Sequence, residues 1–379
     1  MRKKGTLTKA VQRARQSSLG FPKVPKDWEE MKVPDTLRST KDNLPFLVFD
    51  GPVDEGRMEK VLVFMSPTGV EVLNSSDEWY ADGTFNCAKS TLFAQLFVIF
   101  AKSMSGKVVP CAFSFLPSKE GLCYAKVFSV LKQQNVAEPK ILHTDFERGI
   151  FNGFLQHYPD ARIGGCDVHF KRAIRTKLAE FGLIPLVNDC LEFQTFVRYL
   201  WSLSLVPPEQ VVPVWEDFIG QHFQELENNV DVAAEEKATT DFLTYFEKTW
   251  VGAMKPTHER RSPLFKHTMW NQYQSLVLED YDTSSNAAEG YNNAFNLSLP
   301  KNSSIWMVIK QLINEESVAR LSLRDALLGA DPKKNKSRTL RAIQRRTDLQ
   351  SIVQKFGQVP LKEYMKNLIE YYNHQMYAL

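Results

Sequence analysis

The chain has 379 residues, of which 43% are hydrophobic and 12% aromatic. That is enough to bury two or three domain cores, and too apolar for a disordered polymer. A net charge of +3 argues for neither a nucleic acid nor a membrane partner by itself, and no apolar run reaches the ~20 residues of a bilayer span. Five cysteines, at 87, 111, 123, 166 and 190, are an odd number in apolar surroundings, which excludes a disulfide framework and fits reduced thiols.

In chain order, residues 1–46 combine basic residues with Pro22, Pro25, Pro34 and Pro45 and read as a loosely packed lead-in. Lys60–Met65 and Val70–Leu73 are apolar on either side of Pro67-Thr68-Gly69 and predict a hairpin or a strand and turn. Glu78–Cys87, Leu92–Ala101 and Val108–Phe115 predict an antiparallel meander. Lys119–Gln134 has helical spacing, Pro139–Thr144 is a short strand, Phe146–Tyr158 a helix and Ala161–Cys166 a further strand. That alternation is the pattern of a partly parallel sheet, five strands in all.

From 170 to 280 strand signals stop, and amphipathic stretches such as Val197–Leu205, Val212–Leu226 and Ala238–Trp250 predict a helical insertion. Trp201, Trp215, Trp250 and Trp270 are expected in its core. Ser284 or Ser285 then caps a helix to about Leu297, with Asn286, Glu289 and Asn293 sharing a face. A helix over Ile305–Arg320, a basic stretch and a helix over Leu361–Met376 complete the chain. The expected domains are therefore the lead-in 1–46, a core over 47–169, the insertion 170–280, core completion over 281–325 and a basic helical region 326–379.

Charge is uneven along this plan. Arg2, Lys3, Lys4, Lys9, Arg13 and Arg15 precede any acid, and Lys333, Lys334, Lys336, Arg338, Arg341, Arg345 and Arg346 cluster near the other end. Each cluster reads either as phosphate contacts or as a solvated face.

Three acids carry the chemical signal: Asp82 in Tyr80-Ala81-Asp82-Gly83-Thr84-Phe85, Asp145 in Thr144-Asp145-Phe146-Glu147, and Glu289 in Ser285-Asn286-Ala287-Ala288-Glu289-Gly290. Taken singly they are a strand-end residue, a helix cap and a helix-surface acid. Taken in order, a strand acid, a strand-end acid, an insertion and a helix acid form a specific set. Magnesium takes oxygen ligands and needs few protein carboxylates, so three acids on a rigid scaffold suit a two-metal phosphoryl-transfer site.

Cys166-x-x-His169 has the spacing of half a zinc site, yet no second Cys/His pair accompanies it, so no structural zinc is expected. His169 is instead placed to act at a phosphate or to orient a carboxylate. Lys171, Arg172, Arg175 and Lys177 follow on the same helix as candidate phosphate contacts. Neither G-x-S-x-G nor G-x-x-x-x-G-K-[ST] occurs, which removes the commonest hydrolase and P-loop classes.

The Asp82, Asp145 and Glu289 motifs, with Gly165-Cys166-Asp167-Val168-His169-Phe170, resemble the Mutator-like element (MULE) transposase domain over about residues 75 to 300. The resemblance implies an RNase H-like, retroviral-integrase-like α/β fold interrupted by an all-α insertion before the last acid. It further implies a DDE triad of Asp82, Asp145 and Glu289 on two Mg²⁺ or Mn²⁺ ions, and a C/D-x-x-H signature at Cys166 and His169. The implied activity is metal-dependent cleavage at the ends of a DNA element and strand transfer into target DNA. Double-stranded DNA is the implied partner, with a homo-oligomer as the active form and the nucleus as location. The zinc fingers that often accompany such domains have no counterpart here, which leaves a fragment, a shortened element protein and a domesticated derivative all open, the alternative function being a DNA-binding or regulatory one without transposition.

Overall fold

The computed structural model describes residues 20–84, 90–104, 106–278, 281–282, 285–300, 303–328 and 336–374. It is a mixed α/β chain with two compact units: Met1–Lys140, Glu147–Ala161 and Asn286–Asp331 form the first, and Ile141–Phe146, Arg162–Ser285 and Pro332–Leu379 the second. Seven strands occur among the described residues, where five were expected.

In the first unit, β1 (Leu47–Pro52), β2 (Lys60–Met65), β3 (Glu78–Thr84), β4 (Gln95–Lys102) and β5 (Val108–Leu116) lie in the order β1-β2-β5-β4-β3, each pair antiparallel. The expected meander is β3 to β5, in a register that sets Asp82 opposite Val98 and Val98 opposite Phe113. The expected hairpin is corrected. Val70–Leu73 belongs to a helix, Pro67–Asn74, because Ser66 caps it by accepting the Gly69 amide at 3.2 Å and Pro67 fits the first turn. The partner of β2 is instead β1, ahead of it in the chain.

Period-two alternation gives the sheet two buried faces. Trp79 and Phe97 point to helices Gly121–Gln133 and Arg148–Leu155, where Trp79 meets Phe154 and Tyr158, and Phe97 meets Tyr124 and Phe128. Tyr80, Val98, Phe100 and Phe113 point the other way, into a core closed by Ala288 and Phe295 and by Trp306, Ile309 and Leu312 of helix Ile305–Leu327. Each fully buried aromatic contributes about 1.5–3 kcal/mol, so packing more than hydrogen bonding seats these helices. Residues 31–46, expected as lead-in, are part of this core: Met31, Val33, Leu37 and Phe46 are all buried there. The basic cluster before residue 20 lies outside the described residues.

In the second unit, β6 (Ile141–Thr144) and β7 (Arg162–Gly165) pair in parallel, Thr144 opposite Gly165. Helix Asp167–Glu180 follows β7 and buries Phe170, Ile174 and Leu178. Phe170 stacks on Trp270 at 4.8 Å and meets Trp250 edge-on at 4.9 Å. Trp201, Trp250 and Trp270 are core residues, whereas Trp215 is half-buried and stacks on Phe246. Two of the expected amphipathic stretches carry π-helical turns, at Trp215–Ile219 and Glu247–Val251. The basic stretch becomes helix Lys336–Val353, followed by Leu361–His374; Lys333 and Lys334 lie outside the described residues. Among the described residues no helix is long and apolar enough to cross a membrane.

Candidate catalytic site

Asp82 leaves β3 on the face covered by helix Asn286–Ser298. That helix returns after the insertion, and its Asn292 Nδ2 donates to Asp82 Oδ2 at 2.7 Å while Asn296 Nδ2 donates to Thr84 Oγ1 at 2.6 Å. The match is geometric: residues two apart on a strand and four apart on a helix are each displaced by about 6–7 Å. Glu289 sits one turn before Asn292 and is half-buried. The expected partners Asn286 and Asn293 are exposed. Burial of Ala288 and Phe295 fixes the helix rotation, so Asn292 and Asn296 face the sheet instead.

Gly83, next to Asp82, faces the opposite side of the sheet. A Cβ there would lie 2.6 Å from Gln95 Oε1, so any larger residue would require the Gln95 side chain to shift from its present course. Gln95 Nε2 donates to Tyr124 OH at 2.6 Å, Tyr124 OH donates to Glu147 Oε1, and Lys119 Nζ donates to Glu147 Oε2 at 2.9 Å. Glu147, two residues from Asp145 in the sequence, is therefore bound into a structural chain of the first unit. Burial and this carboxylate together push the Tyr124 phenol well above its ordinary range.

In the second unit, the parallel pairing of β6 and β7 carries the chain to Asp145 and to Cys166 at the ends of neighbouring strands. Gly165 permits this closeness, since a Cβ would meet the Phe146 ring at 2.5 Å and the Met269 carbonyl at 2.8 Å. One turn into the next helix, His169 Nδ1 lies 2.9 Å from Asp145 Oδ1. Cys166 is fully buried, and its Sγ accepts the Ser285 amide at 3.4 Å. Burial disfavours a charged imidazole, but hydrogen bonds to Asp145 and Cys166 outweigh it and raise the His169 pKa to about 10. Burial likewise raises the Cys166 thiol, and hydrogen bonds from His169 and Ser285 more than reverse this, leaving it below its ordinary value. The Arg172 guanidinium stands on the other side of the ring, Nη1 3.2 Å from His169 Nε2.

The candidate phosphate contacts divide. Lys171 pairs with Asp167 at 2.6 Å and lies over the Tyr372 ring at 4.7 Å, turned into the packing. Lys177 pairs with Glu180 and lies over Tyr245. Arg172 and Arg175 are exposed. Sequence reasoning missed Asn292, Asn296 and the Ser285 amide; the amides had a signal in their i, i+4 spacing beside two buried apolar positions, the backbone N–H had none.

Residues 78–173 match the MULE transposase domain. The matched MULE segment spans about a quarter of the chain and contains Asp82, Asp145, Cys166 and His169, while Glu289 and its asparagines lie beyond it. A transposase-family protein of this kind depends in general on a divalent metal and acts on DNA. No curated protein matches the chain. By donor chemistry, Asp82 and Glu289 in the first unit, and Asp145 in the second, each offer carboxylate oxygens of the kind that hard cations select.

Proposed function

We propose that this chain is a DDE-type transposase of the Mutator-like class, cutting DNA strands at element ends and joining the freed 3′-hydroxyl to target DNA. Asp82, Asp145 and Glu289 would hold two Mg²⁺ or Mn²⁺ ions, which when bound activate the attacking oxygen and stabilise the leaving one. The supporting observation is the Asn292–Asp82 hydrogen bond, across 210 residues of sequence, which docks the helix bearing Glu289 on the strand bearing Asp82.

The protein's own residues hold the carboxylates before substrate arrives. Asn292 fixes the rotamer of Asp82, and His169 fixes Asp145 while adding positive charge where a phosphate would bind. Cys166 is a positioning residue: its buried sulfur, fixed by Ser285, sets the His169 ring. Arg172 adds a second cation beside that ring. DNA as substrate makes the nucleus the proposed location.

The test is Mn²⁺-dependent cleavage of DNA carrying any terminal inverted repeats found in the gene's flanks. Asp82→Ala and Glu289→Ala should each lower the rate by about 100-fold or more, the scale of removing one preorganised electrostatic group, while both still unfold cooperatively, Asp82→Ala at a lowered melting temperature because it also removes the acceptor of Asn292. A double variant that still cleaves would refute the mechanism. Wild-type protein that binds these ends without cutting them would instead support the domesticated derivative.

A further inference from the structure

The second unit holds a groove that the catalytic reading does not use. It lies between helices Leu191–Ser202 and Gly220–Leu226 and has a volume of ≈ 550 Å³. Its floor is apolar, with Phe196 and Leu226 buried beneath Tyr199. Two exposed acids, Glu192 and Glu225, line it. His222 stacks on Tyr199 at 5.0 Å with Glu225 3.4 Å from its Nδ1, so the aromatic wall is fixed in place. An aromatic floor with carboxylates on its rim selects a cationic side chain flanked by apolar ones. It repels phosphate.

The same unit displays such a segment. Helix Lys336–Val353 is anchored through its C-terminal part: Val353 is fully buried, Arg346 Nη2 donates to the Tyr281 carbonyl at 2.7 Å, and Gln350 Nε2 donates to the Leu276 carbonyl at 2.9 Å. Its preceding turns carry Leu340 and Ile343, 64% and 56% exposed, beside exposed Arg341 and Arg345. Residues four apart lie on one helix face, so the two arginines present paired charges next to an uncovered apolar pair. None of this helix's described residues lines the groove of its own chain.

We propose that the Leu340–Arg345 face of one copy docks in the Glu192–Glu225 groove of a second copy. Two such contacts, made reciprocally, close a two-fold dimer. Apolar burial of Leu340 and Ile343 supplies the attraction, and the Arg341 and Arg345 pairing with Glu192 and Glu225 sets the register.

Sedimentation of the full chain tests this. Wild type should show concentration-dependent dimerisation, and R341E/R345E and E192K/E225K should each weaken it by about tenfold or more. Mixing the two variants should restore a heterodimer to within about threefold of wild type, because both contacts are then complementary again. All four positions are on the surface, so each variant should melt as wild type does; Ile343→Asp provides a second, charge-independent disruption. A wild type that stays monomeric, or a mixture that fails to associate while each variant is folded, overturns the proposal. So does an R341E/R345E variant that loses DNA affinity with its dimerisation unchanged, which would make this helix a nucleic-acid surface.

Discussion

The bond from Asn292 to Asp82 is the point at which the first unit's candidate site can be probed most sharply. Replacing Asn292 by Leu keeps the branched side-chain shape and removes the donor. Asn292 is 5% exposed and donates to a carboxylate at 2.7 Å, so the change should cost about 1.5–3 kcal/mol, the range for hydrogen bonds to charged groups. At about 2–4 °C per kcal/mol for a domain of a few hundred residues, the melting temperature should fall by about 3–12 °C. Replacing Asn292 by Asp also removes the donor, and adds a second negative charge. Two carboxylates about 4 Å apart repel by up to about 4 kcal/mol at an effective dielectric of 20, an upper figure because Asp82 is partly exposed. The Asp variant should therefore melt below the Leu variant in chelator. Adding Mn²⁺ should reverse the order, since an additional carboxylate strengthens a cation site while leucine cannot. Scanning fluorimetry of both proteins, with and without Mn²⁺, reads all four states. A Leu variant within 1–2 °C of wild type, or an Asp variant that outlasts it in chelator, would refute the reasoning.

Three further outcomes are expected. Gly83→Ala should lose about 1–3 kcal/mol, the usual range for overpacking, and a second change, Gln95→Ala, should recover part of it; chemical denaturation that finds the two effects additive would break the proposed clash. His267 donates from Nε2 to the Val251 carbonyl at 2.9 Å, and its pKa is lowered chiefly by burial, with Arg260 adding to the effect. Its stabilisation is therefore present above the unfolded value of about 6.5 and is lost as pH falls through the lower folded value. His267→Gln should flatten that acid-side loss in a series of melts, and an unchanged slope would assign the loss elsewhere. Lys171→Ala should lower stability, through its Asp167 pair and Tyr372 contact, and leave the salt dependence of DNA binding unchanged; a shallower salt slope would restore it as a phosphate contact.

Much of the local structure was legible because it rests on near neighbours. The meander of β3 to β5, the β6 and β7 strands and the helical insertion follow from apolar periodicity, and three of the four tryptophans are in the core as their size suggests. Val70–Leu73 was misread because a four-residue apolar run has no period of its own; the deciding signal was Ser66-Pro67, a cap and a first-turn proline that sequence reading took for a turn. β1 was passed over because its strand, half-buried along Leu47–Asp50, lacks clean alternation.

The candidate site divides along the same line. Asp82, Asp145, Glu289 and the Cys166-x-x-His169 element are written in short motifs, so the sequence alone named the acids and the chemistry they suit. What only tertiary structure decided is which neighbours hold them. Three-residue and four-residue helical spacings from Glu289 are nearly equivalent in sequence, and burial of Ala288 and Phe295 against the sheet chose Asn292 over Asn293. Lys171 and Arg172 are adjacent in sequence, but a helix turns about 100° per residue, and so one enters the packing beneath Tyr372 while the other stands beside His169. Motifs fix residue types, while the rotation of a helix is set by the apolar side chains it buries, and those partners are distant in the sequence.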